Sequence, residues 1–206
     1  MNSNRLTFLL LGLLGITALA GEPDRGASRH SCCASVAASP GAPTDKSLYQ
    51  LDSTWTNDEG VAVKLASLRG HPQMVCMFFA SCQYACPLLV EHLKQIEAAL
   101  PENLRTNTGF LLVSFDTERD TPAALHQYRL QHDLKAGRWT LLRANPDDVL
   151  ELAALLGVKY KKDAQGQFMH SNVTTLLNSQ GEIAFQETGL SLATDGFVAR
   201  LKSLAE

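Results

Sequence analysis

Apolar and polar positions fall into blocks along this chain, and the period within each block predicts an element. Residues 74–79 (MVCMFF) are an unbroken apolar run, the pattern of a strand buried on both faces, and residues 110–115 (FLLVSF), apolar except for Ser114, read as the next buried strand. Between them Leu89, Leu93, Ile96 and Leu100 recur at helical spacing, predicting a helix over residues 87–100 with one buried stripe. Thr121-Pro122 opens a second helix as cap and first residue. Residues 139–142 read as a short strand, and Asn145-Pro146-Asp147-Asp148 starts a third helix that stops at Gly157. Two polar turns predict hairpins. Asn57-Asp58-Glu59-Gly60 joins residues 48–51 to 61–65, and residues 178–182 join 173–177 to 183–186. Residues 195–204 form a last amphipathic helix with Phe197, Leu201 and Leu204 inward.

Strands that alternate with helices imply a parallel central sheet, and the hairpins add antiparallel edges. The fold class is therefore α/β: a thioredoxin-like sandwich, a central mixed sheet flanked by helices, with an N-terminal β-hairpin. It occupies residues 48–206, about one domain of ordinary size.

The first 47 residues have no such pattern. Arg5, an apolar run and Ala18-Leu19-Ala20 give residues 1–20 the features of a secretory signal peptide. The alternative is an uncleaved anchor, but the run falls short of the roughly 20 residues a membrane span needs. Gly, Pro, Ser and Ala fill 16 of the 27 positions from 21 to 47, which reads as a flexible tether. The tether carries His30-Ser31-Cys32-Cys33, read as an accidental thiol pair or as a mobile secondary metal or redox site. A leader puts the domain outside the cytoplasm, in the periplasm or on the outer face of the inner membrane, where thiols tend to oxidise. The membrane enters only through this segment, if it stays uncleaved. A net charge of −3 gives no reason to expect a nucleic-acid partner.

Chemistry concentrates in Phe79-Ala80-Ser81-Cys82-Gln83-Tyr84-Ala85-Cys86-Pro87. Two cysteines at i and i+4 sit between a buried strand and a helix. With a helix start near Tyr84, both sulfurs lie at its N-terminus, where free amides and the dipole favour thiolates. At i,i+4 on a helix they share a face. Such a pair bridges as a disulfide when oxidised, takes one soft metal ion, or is simply two buried structural cysteines. A metal wants a further ligand. His170 stands just before the closing hairpin, which in this topology runs beside the Cys-bearing strand. Taken alone, it reads as a surface or hydrogen-bonded histidine. With Cys82 and Cys86 it makes a Cys₂His set suited to copper, as Cu(I) or Cu(II). Zinc, the competitor, usually wants four closed ligands. Cys76 reads as a small buried hydrophobe. His71, His92, His126 and His132 read as solvated, and residues 159–162 as a basic stretch of a loop, either a solvated face or a dock for an acidic partner.

These residues resemble the Sco/SenC family of thioredoxin-like copper-binding proteins. The family's pattern is CxxxC-Pro after a buried strand, S-x-D-P-x-R-D-T-P after the next strand, and a His before the last hairpin. This chain has Cys82, Cys86 and Pro87, then Ser114-Phe115-Asp116-Thr117-Glu118-Arg119-Asp120-Thr121-Pro122, then His170, with Leu68-Arg69-Gly70 matching as well. It departs at Gln83-Tyr84-Ala85, where the family usually has an acid, and at Thr117, where it has proline.

The resemblance implies a metallochaperone that binds one copper through Cys82, Cys86 and His170, with Asp116 close to the metal without ligating it. Its partners would be a copper donor protein and the copper-centre subunit of a respiratory oxidase. The competing reading is a thiol–disulfide oxidoreductase with Cys82 attacking and Cys86 resolving. Against it, reductases of this fold use CxxC and a proline before the facing strand, and His170-Ser171-Asn172-Val173 has none. A sensor that signals through a partner is a third reading.

Overall fold

A computed structural model describes residues 43–164, 166–190 and 193–206. The expected leader, His30, Cys32, Cys33 and nearly all of the expected tether lie outside the described residues.

The centre of the sheet follows the apolar runs. Strands β3 (Gln73–Phe78), β4 (Gly109–Ser114) and β5 (Trp139–Arg143) are parallel neighbours. All six residues of β3 are buried, which requires cover on both faces. Strand β8 (Val173–Leu177) pairs antiparallel with β3, and β9 (Ile183–Thr188) pairs antiparallel with β8. At the other edge β1 (Trp55–Asn57) joins β5 and β2 (Ala62–Val63) joins β1, both antiparallel, in the order β2-β1-β5-β4-β3-β8-β9. The helices are α1 (Ala85–Ala99), α2 (Glu102–Asn107), α3 (Pro122–Gln131), α4 (Pro146–Leu155) and α5 (Thr194–Leu204). This is the thioredoxin-like arrangement expected from the element order.

Local signals act where they stand. Thr121 Oγ1 accepts from the Ala124 amide at 3.2 Å, and Asn145 Oδ1 from the Asp148 amide at 2.9 Å. The α1 stripe is buried throughout, as are Phe197 and Leu201 of α5.

Four expectations change. Residues 48–51 are not a strand. Leu48–Gln50 form a 3₁₀ turn because Ser47 Oγ accepts the Tyr49 amide at 3.1 Å, and the hairpin pairs β1 with β2 instead. Helix α2 was not expected, since Leu104 is its one buried residue and no apolar stripe announces it. The basic stretch is not loop but strand β6 (Tyr160–Lys162), paired antiparallel with β7 (Phe168–His170) in a separate two-stranded ribbon. His92 is not solvated: it is buried on α1, 6.1 Å from the ring of Phe197, and burial holds its pKa below the usual histidine range. His132 is half-buried against Tyr128, at 4.1 Å.

The β8–β9 turn shows how tightly the edge is packed. Gly181 has φ +81°, and a Cβ there would meet the Tyr49 ring at 2.5 Å. Gly181→Ala therefore adds a left-handed strain to an overlap with a buried ring. It is expected to cost about 2–3 kcal/mol in a urea unfolding curve. An unchanged midpoint would show that Tyr49 has room to retreat.

Candidate metal centre

The strand-to-helix turn after β3 presents the two sulfurs. Phe79 is buried, and the Cys82 amide donates back to its carbonyl at 3.1 Å, which tightens the turn. Cys82 lies in this turn, partly exposed, while Cys86 is the second residue of α1 and fully buried. Because only Cys86 is helical, the shared-face argument is not what joins the pair. The joining contact is the Cys86 amide, which donates to Cys82 Sγ at 3.4 Å. First-turn amides have no partner within their helix, and here a sulfur takes one.

This placement splits the two thiols. Burial opposes ionisation of Cys82, but the amides of Cys86, Tyr84 and Ala85 outweigh it, and its pKa falls below the ordinary thiol value. Burial pushes the Cys86 thiol well up, and the nearby Cys82 charge adds to the effect. Of the two, Cys82 is the thiol that ionises more readily, and Cys86 the one that holds its proton. Cys76, Cys82 and Cys86 are all free thiols. Cys76 stands apart in β3, with its Sγ 3.4 Å from Thr174 Oγ1 and its pKa raised by burial to about 12, as befits a small hydrophobe.

His170 closes the third side from the end of β7. Its Nε2 lies 3.9 Å from Cys86 Sγ, and its Nδ1 lies 3.2 Å from the Ser171 carbonyl. Burial lowers its pKa against the pull of that carbonyl, so the ring is neutral at pH 7. The neutral ring donates its Nδ1 proton to Ser171 and turns the Nε2 lone pair toward sulfur. Phe115, at 5.0 Å, and Phe79, at 5.9 Å and edge-on, seat the ring. The ligand atoms of Cys82, Cys86 and His170 all lie within 4.8 Å of one another. Two sulfurs and an imidazole nitrogen at this spacing are a soft donor set that a small adjustment would close on one ion.

Asp116 does not join these three. It is buried and accepts from Arg119 Nε and from the Arg119 amide, at 3.3 Å for the latter. Asp120 braces the site from behind, accepting the Ala80 amide at 2.9 Å and the Ser114 hydroxyl at 2.5 Å. In the sequence Asp120 stands out only as a member of the Ser114–Pro122 motif. Its reach to Ala80, two residues before Cys82, depends on the parallel pairing of β3 with β4. The aromatic seat of His170 was also missed, although its parts stand at the ends of two apolar runs that were recognised.

Comparison with known proteins places these features in context. Residues 41–205 match the SCO1/SenC family. A SCO1 protein homolog of Bacillus subtilis (strain 168) is 24% identical over 155 residues, covering 73% of this chain and 79% of that protein. The solved structure of Arabidopsis thaliana ScoI with copper bound superposes with a TM-score of 0.65 at 22% identity, covering 73% of this chain and 96% of that one. BsSco, a member of the Sco family of cytochrome c oxidase assembly proteins in which a disulfide switch was identified, superposes with a TM-score of 0.63 at 22% identity, covering 74% of this chain and 90% of that one.

Proposed function

Because this chain belongs to the SCO1/SenC family, we propose that it is a copper metallochaperone that carries one copper ion on Cys82, Cys86 and His170. The observation that carries this reading is the meeting of three soft donors within 4.8 Å, contributed by two elements far apart in sequence. Copper is the cargo. Cys82 takes it first, as the more accessible and more readily ionised sulfur. Cys86 gives up its proton on binding, which couples loading to a reduced, unbridged pair. His170 arrives neutral, with its lone pair already presented. Asp116 supports the centre from a buried position without touching the ion. Release proceeds by ligand exchange with partner thiolates. The recipient we infer is the copper-centre subunit of a respiratory oxidase, with a separate protein as copper donor. The oxidase follows from the family's role in cytochrome c oxidase assembly, stated for BsSco.

No helix among the described residues is long and apolar enough to cross a membrane. From the leader-like features of residues 1–20 we infer that any membrane contact lies there, that residues 21–47 are the tether, and that the folded part is extracytoplasmic.

One observation favours a second reading, a thiol–disulfide oxidoreductase. Cys82, partly exposed and with its pKa lowered, is placed to attack, with Cys86 behind it to resolve and close a Cys82–Cys86 disulfide. Against it stand the CxxxC spacing and the lack of a proline in His170-Ser171-Asn172-Val173.

Anaerobic titration of the reduced protein with Cu(I) against a competing chelator tests the proposal. One tightly held ion per chain is expected. No competitive binding, together with rapid reduction of insulin disulfides, would overturn it in favour of the reductase.

A further inference from the structure

The ribbon that carries His170 is not part of the main sheet, so something else must fix it. Among the described residues, strands β6 and β7 pair only with each other. At its base the Ser171 amide bonds the Lys159 carbonyl at 2.8 Å, which closes the ribbon on itself and not onto the sheet. Its seat on the body is a set of rings: Tyr160 and Phe168 pack on Phe115 at 5.1 and 5.0 Å, and Phe168 packs on Phe79 at 5.3 Å. Ring contacts resist separation but define sliding poorly. At the base, the Asn172 carbonyl accepts the Gly189 amide at 2.9 Å, just past the end of β9; the tip needs a directional contact of its own to hold the register of Nε2 against sulfur.

The turn between β4 and α3 supplies one. It is firmly attached to the body: Ser114 Oγ takes the Asp116 amide at 3.0 Å, Asp120 bonds Ser114 and Ala80, and Arg143 Nη2 bonds the Thr117 carbonyl at 2.7 Å. From this platform Arg119 reaches the ribbon. Its Nε is held by the buried Asp116, and its Nη2 donates to the Gly166 carbonyl at the ribbon tip, at 2.8 Å. Its guanidinium also lies 5.8 Å from the Phe168 ring. A second link, Lys162 to Glu118 at 2.5 Å, joins the same turn to the ribbon but is largely exposed on the Glu118 side and therefore weak in water. Arg119 is itself 40% exposed, and its bond to Gly166 is exposed as well, but its carboxylate partner is almost wholly buried and the rigid guanidinium fork spans both partners, which makes it the stronger link.

We propose that Arg119 is a positioning residue of the metal centre: by bridging Asp116 to the Gly166 carbonyl it latches the β6–β7 ribbon and so sets His170 Nε2 against Cys86. This deepens the copper reading and rests on it for its metal readout. The same bridge explains what Asp116 does: it acts through Arg119 on the ribbon and leaves the ion to others.

The test uses two substitutions, Arg119→Met and the pair Asp116→Asn with Arg119→Met. The pair avoids leaving a buried carboxylate uncompensated, so a folding failure of the single variant does not end the experiment. The first readout needs no metal. In the reduced apoprotein, imidazole ¹H–¹⁵N correlations and nuclear Overhauser contacts report the His170 tautomer and its proximity to Phe115. Wild type is expected to show one Nδ1–H tautomer in contact with Phe115, and both variants to show weakened contacts and averaged shifts. The second readout is Cu(I) affinity. A loss of about 10-fold is expected in an otherwise wild-type chain, at the lower end for residues that orient a ligand. No further loss is expected in a His170→Ala background. Equal losses in both backgrounds, or an undisturbed His170 ring, would overturn the latch. If wild type binds no Cu(I), the copper reading fails, and the imidazole spectra still decide for or against the latch.

Discussion

His170→Ala is expected to weaken Cu(I) binding by about 100-fold, and Cys86→Ser to remove competitive binding altogether. Disturbing a residue that merely orients a ligand commonly costs 10–100-fold, so losing the ligand itself belongs at or beyond the upper end, about 2.8 kcal/mol at 1.4 kcal/mol per decade. The substitutions differ because the donors differ. Without His170, two thiolates remain, and Cu(I) accepts low coordination by sulfur. In Cys86→Ser the amide of residue 86 still donates to Cys82 Sγ, but the sulfur that faces His170 at 3.9 Å is gone. A serine hydroxyl there stays protonated at neutral pH and is a hard donor. Chelator competition on the reduced variants measures both. The same variants separate the two functional readings. A reductase would keep its rate in His170→Ala and lose it in Cys82→Ser. A His170→Ala protein that titrates like wild type would remove imidazole from the ligand set.

The largest effect on stability is expected from a site that does no chemistry. Arg129 of α3 is almost buried, with its Nε and Nη2 on the two carboxylate oxygens of Asp58 at 2.5 and 2.6 Å, and its Nη1 on the carbonyls of Leu134 and Trp139. One guanidinium thus ties the β1–β2 turn to α3 and β5. Arg129→Met leaves Asp58 buried, with His126 Nδ1 at 3.4 Å as a weaker partner. Breaking a buried pair on one side costs about 3–5 kcal/mol, or a Tm lower by about 10 °C for a domain of this size. Replacing both charges, with Asp58→Asn added, is expected to restore most of the loss.

The pH dependence follows from the sign. Burial opposes the Asp58 charge, but Arg129 outweighs it and holds the carboxyl below its usual range. A depressed pKa contributes stability above the unfolded value near 3.9 and loses it as pH falls through the folded value. Wild type therefore keeps this contribution down to about pH 4. In Arg129→Met the carboxyl moves up instead, its penalty fades on acidification, and the Tm gap to wild type narrows between pH 7 and pH 5. A gap that widens over that range would contradict the account.

Much of the centre was legible because local rules act over short spans. A continuous apolar run, then Cys-x-x-x-Cys-Pro, already says that two sulfurs meet the N-terminus of a helix. That inference survives even though Cys82 proved to lie just outside the helix. Capped helices at Thr121 and Asn145 were legible for the same reason: the cap and the amide it satisfies are three residues apart. The misreadings share the opposite property. His92 carries a polar label, and only the packing of α5 across α1 buries it. The ribbon was invisible because β6 exposes two of its three residues and β7 is too short for any period to show.

The sequence by itself thus determined the α/β order, the buried central strands, the placement of Cys82 and Cys86 at a strand-to-helix turn, and His170 as a candidate third member. Tertiary structure alone decided that His170, 84 residues beyond Cys86, faces its sulfur, and that Arg119 spans from Asp116 to Gly166. The reason is physical. Apolar period and caps are written in neighbouring residues, whereas the seat of His170 is assembled from Phe79 and Phe115, which meet the ring only when β3, β4 and the ribbon are packed.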